Sequence, residues 1–129
     1  MTMQVLLISF GPWMAECFEQ LGCRAHCFNP NPGDMPDVEA YVREQGLAPE
    51  LVVQRETLGP RILLRNVHRL DCPTVYWSID THLNQWWQRW YGRLFDGVLT
   101  THSHLLEEVR AWGSAQVGVC PWFGWLQRS

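Results

Sequence analysis

The sequence contains no lysine, and all ten basic residues of its 129 are arginines. A P-loop is therefore absent, because that phosphate-binding loop requires a Gly-Lys-Ser/Thr segment. The chain also has no G-x-S-x-G nucleophile elbow. The first loop, Ser9-Phe-Gly-Pro-Trp-Met14, has one glycine where a dinucleotide-binding turn needs G-x-G-x-x-G. These absences argue against P-loop chemistry, an elbow-type hydrolase and an NAD or FAD site, and we predict no cofactor.

A phospho-acceptor receiver domain is excluded on the same grounds. It needs an acidic cluster after its first strand and a lysine after its fifth. Ser9-Phe10-Gly11 supplies no acid, and lysine is missing altogether.

Strong charge and long apolar runs are missing as well. A net charge of -3 gives no electrostatic reason to expect a nucleic acid or an anionic lipid as partner. The apolar run from Met3 to Phe10 is too short to span a membrane. The five cysteines are odd in number and lack paired spacing, and no basic leader precedes the first apolar run. We therefore expect a reduced, cytoplasmic protein.

What the chain does contain is a regular alternation of apolar strands and amphipathic helices. Predicted strands cover residues 3–10, 24–28, 49–54, 75–79, 97–100 and 116–120. Short connections between them favour right-handed crossovers and a parallel sheet. We predict a three-layer, Rossmann-like, doubly wound α/β domain over residues 1–121, with five or six parallel strands in the order 3-2-1-4-5-6. Residues 122–129 form a tail or the start of an interdomain linker.

Two helices of this prediction carry distinctive patterns. Residues 60–70 would form a helix that turns Ile62, Leu63, Val67 and Leu70 inward and an arginine stripe outward. In the helix after the fourth strand, Trp86 and Trp90 lie four residues apart, with leucines nearby. This spacing predicts that at least one of the two tryptophans is part of the core.

Polar residues cluster in the loops that follow the fourth and fifth strands. These loops are Ser78-Ile-Asp-Thr-His82 and Thr100-Thr-His-Ser-His104. In an open α/β sheet, ligands bind outside the carboxyl ends of the strands. The two loops therefore mark the predicted functional edge.

We predict no metal site at either of the two candidate clusters. Cys23 and Cys27 share one face of a strand, whereas His26 points to the other. Asp80, His82, His102 and His104 lack a local metal-binding spacing.

Residues 73–123 resemble the N-terminal half of GT-B glycosyltransferases of the spore-maturation CgeB-like group. The resemblance lies in Val75-Tyr-Trp-Ser-Ile-Asp-Thr-His82, in Leu94-Phe-Asp-Gly-Val98 and in Thr100-Thr-His, with the strand toward Val119-Cys-Pro-Trp-Phe123. The first 70 residues resemble this family only in their Rossmann-like alternation of strands and helices.

The resemblance implies two facing Rossmann-like domains, with the acceptor mainly on this one. A nucleotide-sugar donor would bind the second domain, which has no counterpart here, so this chain alone would be inactive. The acceptor itself stays unknown.

On this interpretation, Asp80 or His82 orients or deprotonates an acceptor hydroxyl. The substrate-binding residues would share one cleft with them and are Gly11, Trp13, Thr81, Thr101 and His102. The alternative is that Asp80 and Thr81 only cap the following helix.

A second hypothesis from another class also stays open. The chain could be a non-enzymatic, flavodoxin-like binding or interaction module. Trp122, Phe123 and Trp125 would then form a surface for docking another domain or subunit.

Overall fold

A computed structural model describes residues 2–57 and 60–121. Its strands are β1 (Gln4–Ile8), β2 (Arg24–Phe28), β3 (Leu51–Arg55), β4 (Thr74–Ser78), β5 (Gly97–Thr100) and β6 (Gln116–Val119). Its α-helices are α1 (Pro12–Gln20), α2 (Val38–Glu44), α3 (Thr81–Tyr91) and α4 (Leu106–Arg110). Short 3-10 turns cover Val67–Arg69, Gly92–Leu94 and Ser103–Leu105.

All six strands are parallel in a single sheet, which confirms the predicted α/β class. The strand order is 2-1-3-4-5-6, so the predicted order 3-2-1-4-5-6 is wrong. β2 lies at the sheet edge and none of its residues is buried, whereas Val52 and Gln54 of β3 are buried. The more apolar third strand therefore takes the interior position beside β1.

The two faces of the sheet are covered unequally. One face packs Leu6, Ile8 and Tyr76 against α2, α3 and the segment between β3 and β4. On the other face, Val5, Leu7 and Trp77 meet α1, the single α-helix that the described residues place there.

The segment from residue 60 to 66 is not helical, which corrects the predicted helix over 60–70. Side chains of other elements hold it in an extended form. The Gln54 amide donates to the carbonyl of Ile62 at 2.8 Å, and the Leu64 amide donates to the Tyr91 hydroxyl at 2.8 Å. Ile62 and Leu64 are both buried. Burial of every second residue is the pattern of an extended segment and not of a helix.

The face of α3 that packs on the sheet is also not the predicted one. Trp86 is 61% exposed and Trp90 is 60% exposed, so neither is part of the core. Thr81, Gln88 and Tyr91 are buried instead. Polar groups on the sheet and on the extended segment select this face, because they bond to Gln88 and Tyr91.

The predicted alternation along β2 is confirmed. Cys23 and Cys27 pack with the apolar residues under α1. His26 lies on the opposite face, where its Nε2 is 2.7 Å from the Tyr41 hydroxyl.

None of the helices in the described part of the chain has the length and apolar character needed to cross a membrane. The docking residues Trp122, Phe123 and Trp125 lie outside the described residues.

Candidate functional site at the carboxyl edge of the sheet

The carboxyl edge carries two cavities rather than one shared cleft. Because β3 lies between β1 and β4, its end separates the loop of Gly11 from the loop of Asp80. Gly11 lines a cavity of about 510 Å³, and Asp80 lines a different one of about 400 Å³. The prediction that these residues face one cleft is therefore wrong, although Thr57 and Pro60 border both cavities.

Glu56, at the end of β3, is the central residue that sequence reasoning missed. Its carboxylate is only 4% exposed and accepts hydrogen bonds from the backbone amides of Ile79 and Asp80, both at 3.1 Å. It also accepts from the side-chain amides of Asn84, at 3.4 Å, and of Gln88. These bonds fix the loop after β4 to the end of β3. The signal available in the sequence was an acid directly after an apolar strand.

Asp80 precedes α3 but does not cap it through its side chain. No described residue donates a hydrogen bond to its carboxylate, whereas its backbone amide and carbonyl are both bonded. The side chain is half-buried and lines the 400 Å³ cavity. The carboxylate is therefore available to a ligand.

The remaining walls of this cavity are an aromatic ring, a cation and a carboxamide. The Arg61 guanidinium lies 4.9 Å from the Trp87 ring centroid. The Trp87 indole N–H donates to Asn84 Oδ1 at 2.9 Å, which orients both side chains. The full lining consists of Glu56, Thr57, Pro60, Arg61, Asp80, Leu83, Asn84 and Trp87.

Thr81 lies inside the molecule. It is fully buried, and its hydroxyl is 2.6 Å from that of Ser78 and 2.7 Å from that of Thr100. The Ser78 hydroxyl in turn donates to the Gln88 carboxamide. This chain of hydroxyls joins β4, β5 and α3, so Thr81 serves the packing of the helix rather than the rim of the cavity.

The residues after β5 lie beside the start of α3. The Thr101 hydroxyl donates to the carbonyl of Ile79 at 2.6 Å. The ring centroids of His82 and His102 are 4.9 Å apart, and those of His102 and His104 are 5.3 Å apart. The three imidazoles form a row outside the Asp80 cavity. In the described part of the chain, no three His, Cys, Asp or Glu residues are grouped closely enough to hold a metal ion.

Gly11 and Trp13 are neighbours in space but line different cavities. A Cβ at position 11 would lie 2.8 Å from the Trp13 indole, so any residue other than glycine would require that side chain to shift. Trp13 itself lines an apolar groove of about 400 Å³ on the face covered by α1. It is therefore not part of the Asp80 cavity.

Two buried phenols, Tyr76 beside Glu56 and Tyr91 beside Gln54, stay neutral. Burial, and then the negative charge of Glu56, raise the pKa of Tyr76 well above its ordinary value. Burial also raises the pKa of Tyr91. Neither phenol can act as a base near neutral pH.

No family model, curated protein or solved structure matches this chain. The functional argument therefore depends on the geometry of the site.

Proposed function

We propose that this chain is the N-terminal, acceptor-side domain of a GT-B glycosyltransferase. The complete enzyme would transfer a sugar from a nucleotide-sugar to a hydroxyl of the acceptor, and the donor would bind a second domain outside these 129 residues. The observation that carries the proposal is the Asp80 cavity. In this cavity the Asp80 carboxylate, to which no described residue donates a hydrogen bond, lies together with the indole of Trp87.

Each part of this cavity suits a sugar hydroxyl. A carboxylate at hydrogen-bond distance can accept the proton that the acceptor oxygen loses as it attacks the donor carbon, while the bond from that carbon to the phosphate oxygen breaks and the nucleotide leaves with its electrons. Arg61, whose guanidinium lies over the Trp87 ring, and the side chain of Asn84 offer hydrogen-bond donors to further sugar hydroxyls. Glu56 acts as a positioning residue, because its bonds to the amides of residues 79 and 80 hold the Asp80 backbone in place.

His82, His102 and Thr101 do not line the Asp80 cavity. We propose that His82 and His102 contact the acceptor or the donor beyond the cavity rim, where an imidazole can donate or accept a hydrogen bond. The cytoplasmic location belongs to the same proposal, and it is supported by five cysteines that form no disulfide.

An NMR titration of the chain with a panel of neutral mono- and disaccharides tests the acceptor side directly. The Trp87 indole N–H resonance is the reporter, because its bond to Asn84 places it in the cavity wall. We expect one or more sugars to shift this resonance saturably, and Asp80→Asn to weaken that binding about tenfold or more, the effect of losing one hydrogen bond to a charged group. Shifts of equal size on the distant indole of Trp112 would contradict the proposal.

One observation favours the alternative of an interaction module. The apolar groove between α1 and the sheet is lined by Met14, Phe18, Val53, Trp77 and Leu99, among others, and the sheet face is covered by α1 alone among the described helices. Doubly wound sheets bury both faces. A groove of this kind suits a protein segment rather than a sugar.

A further inference from the structure

The outward face of α3 and of the turn that follows it carries exposed apolar side chains. They are Leu83, Trp86, Trp90 and Leu94, each between 43% and 64% exposed, and we call these four residues the α3 stripe. Positions three or four residues apart share one face of a helix, so the four side chains form a continuous surface. A surface helix normally turns its apolar face to the core. An apolar face that is turned to solvent marks an interaction site.

Three arginines lie on the indole rings of this face. The guanidinium of Arg61 is 4.7 Å from the ring centroid of Trp86. The guanidinium groups of Arg89 and Arg93 are 5.1 Å and 5.8 Å from the ring centroid of Trp90. All three arginines are exposed, and none of them forms an ion pair with another described residue. Their charges are therefore available to a partner.

The charge of this face differs from that of the chain as a whole. The net charge of the sequence is -3, yet residues 81–94 include two arginines and neither aspartate nor glutamate. Unpaired cations beside an apolar surface favour a negatively charged partner. They disfavour a second copy of this chain, because a two-fold interface would place the face against itself and bring the arginines together.

The indole N–H groups point to the kind of partner. Those of Trp86 and Trp90 donate to no described residue, whereas the N–H of Trp87 donates to Asn84. Tryptophan is enriched at membrane–water interfaces, where its ring lies in an apolar layer and its N–H meets polar groups. Tryptophan and leucine on one helix face, with arginine beside them, are typical of helices that lie in the plane of an anionic bilayer.

We propose that the α3 stripe binds the surface of an anionic membrane. The two tryptophans and two leucines would enter the headgroup region, and Arg61, Arg89 and Arg93 would contact lipid phosphates. From residue 83 to residue 94 the stripe extends about 17 Å along the helix surface, so it suits a flat partner. The helix would lie on the bilayer without spanning it. This proposal goes beyond the transferase, since binding requires neither Asp80 nor a second domain.

Vesicle flotation of the chain tests the proposal. One set of vesicles contains phosphatidylcholine alone, and the other contains equal amounts of phosphatidylcholine and phosphatidylglycerol. We expect saturable binding to the mixed vesicles, about tenfold or more tighter than to the neutral vesicles and weakened by salt.

A pair of arginine variants tests the charge of the face. Arg89→Gln combined with Arg93→Gln should weaken binding to the mixed vesicles about tenfold or more, and change binding to the neutral vesicles little. The matched control is Arg43→Gln combined with Arg69→Gln. It removes the same charge from two exposed arginines outside the α3 stripe, and it should have a much smaller effect.

A pair of tryptophan variants tests the apolar surface. Trp86→Ser combined with Trp90→Ser should weaken binding to the mixed vesicles about tenfold or more. Leu21→Ser combined with Met35→Ser is the control, because it removes exposed apolar side chains elsewhere and should leave binding unchanged. Circular dichroism establishes that each variant is folded. If the tryptophan pair does not fold, the arginine pair decides the question.

Four results would overturn the proposal. Absence of binding to the mixed vesicles would reject a membrane as the partner. Equal weakening by the two pairs of arginine variants would show a diffuse charge effect. Unchanged binding of the tryptophan pair would show that the α3 stripe does not enter the bilayer. A dimer in sedimentation that dissociates on Trp86→Ser with Trp90→Ser would show that a second copy covers this face.

Discussion

Two carboxylates at the carboxyl edge have opposite surroundings. Glu56 is buried and accepts hydrogen bonds from two backbone amides and two side chains, so its role is to hold a loop. Asp80 follows in that same loop, and no described residue donates to its carboxylate. Glu56 therefore positions the loop that carries the Asp80 carboxylate.

Replacing Asp80 separates a catalytic role from a structural one. In the proposed two-domain enzyme, Asp80→Asn should reduce kcat by about a hundredfold or more, because the amide cannot accept the proton of the acceptor. The melting temperature should change little, since the side chain makes no capping bond. Both quantities are measured on the same purified variant.

Asp71→Asn is the control for this prediction, because Asp71 is exposed and does not line the Asp80 cavity. It should leave rate and stability unchanged. Full activity of Asp80→Asn would remove Asp80 from the reaction.

At the scale of the element, α2 depends on a side-chain cap. The sequence contains two aspartates before this helix, and the structure assigns the cap to Asp37, whose Oδ1 accepts from the Ala40 amide at 3.0 Å. Asp34 instead accepts from the amide of Asn31 in the preceding turn. Asp37 also accepts from the Asn66 side chain at 2.8 Å, which ties the helix start to the extended segment before β4.

The cap predicts a dependence of stability on pH. The Ala40 amide, and further the Asn66 side chain and the charge of Arg65, lower the pKa of Asp37 below its ordinary value of 3.8. A carboxyl whose pKa is lower in the folded state stabilises the fold above its unfolded pKa. That contribution is lost as the pH falls from 3.8 through the lower folded value.

Asp37→Ala should accordingly lower the melting temperature at pH 7, with a difference from the parent protein that shrinks below pH 3.8. Thermal unfolding at a series of pH values measures both effects. Asp34→Ala, which removes a turn contact but no helix cap, is the comparison. A difference that stays constant down to pH 2 would contradict the role of the ionised cap.

At the scale of the whole molecule, the end of β3 separates the cavity beside β1 from the Asp80 cavity, although Thr57 and Pro60 border both. On the proposed function, the nucleotide-sugar donor binds a domain other than the one that these 129 residues form.

The isolated 129 residues should transfer no sugar from any nucleotide-sugar. On the proposed function these 129 residues hold only the acceptor, and transfer requires donor and acceptor to be held in contact. A radiolabelled transfer assay with the purified chain and a panel of nucleotide-sugars measures this. Turnover by the isolated chain would refute the two-domain account.

The sequence by itself determined the class of the fold, the six strands and the polar loops after β4 and β5, because burial on both faces and the placement of polar residues at strand ends are local patterns. Only the tertiary structure decided the strand order, and with it the separation of Gly11 from Asp80. The periodicity of apolar residues does not show which other elements pack against them. The exposure of Trp86 and the extended form of residues 60–66 could not be predicted, because they depend on contacts with residues distant in sequence, such as the bond between Leu64 and Tyr91. The role of Glu56 could not be predicted for the same reason, since its four donors lie in the loop after β4 and in α3, more than twenty residues further along the chain.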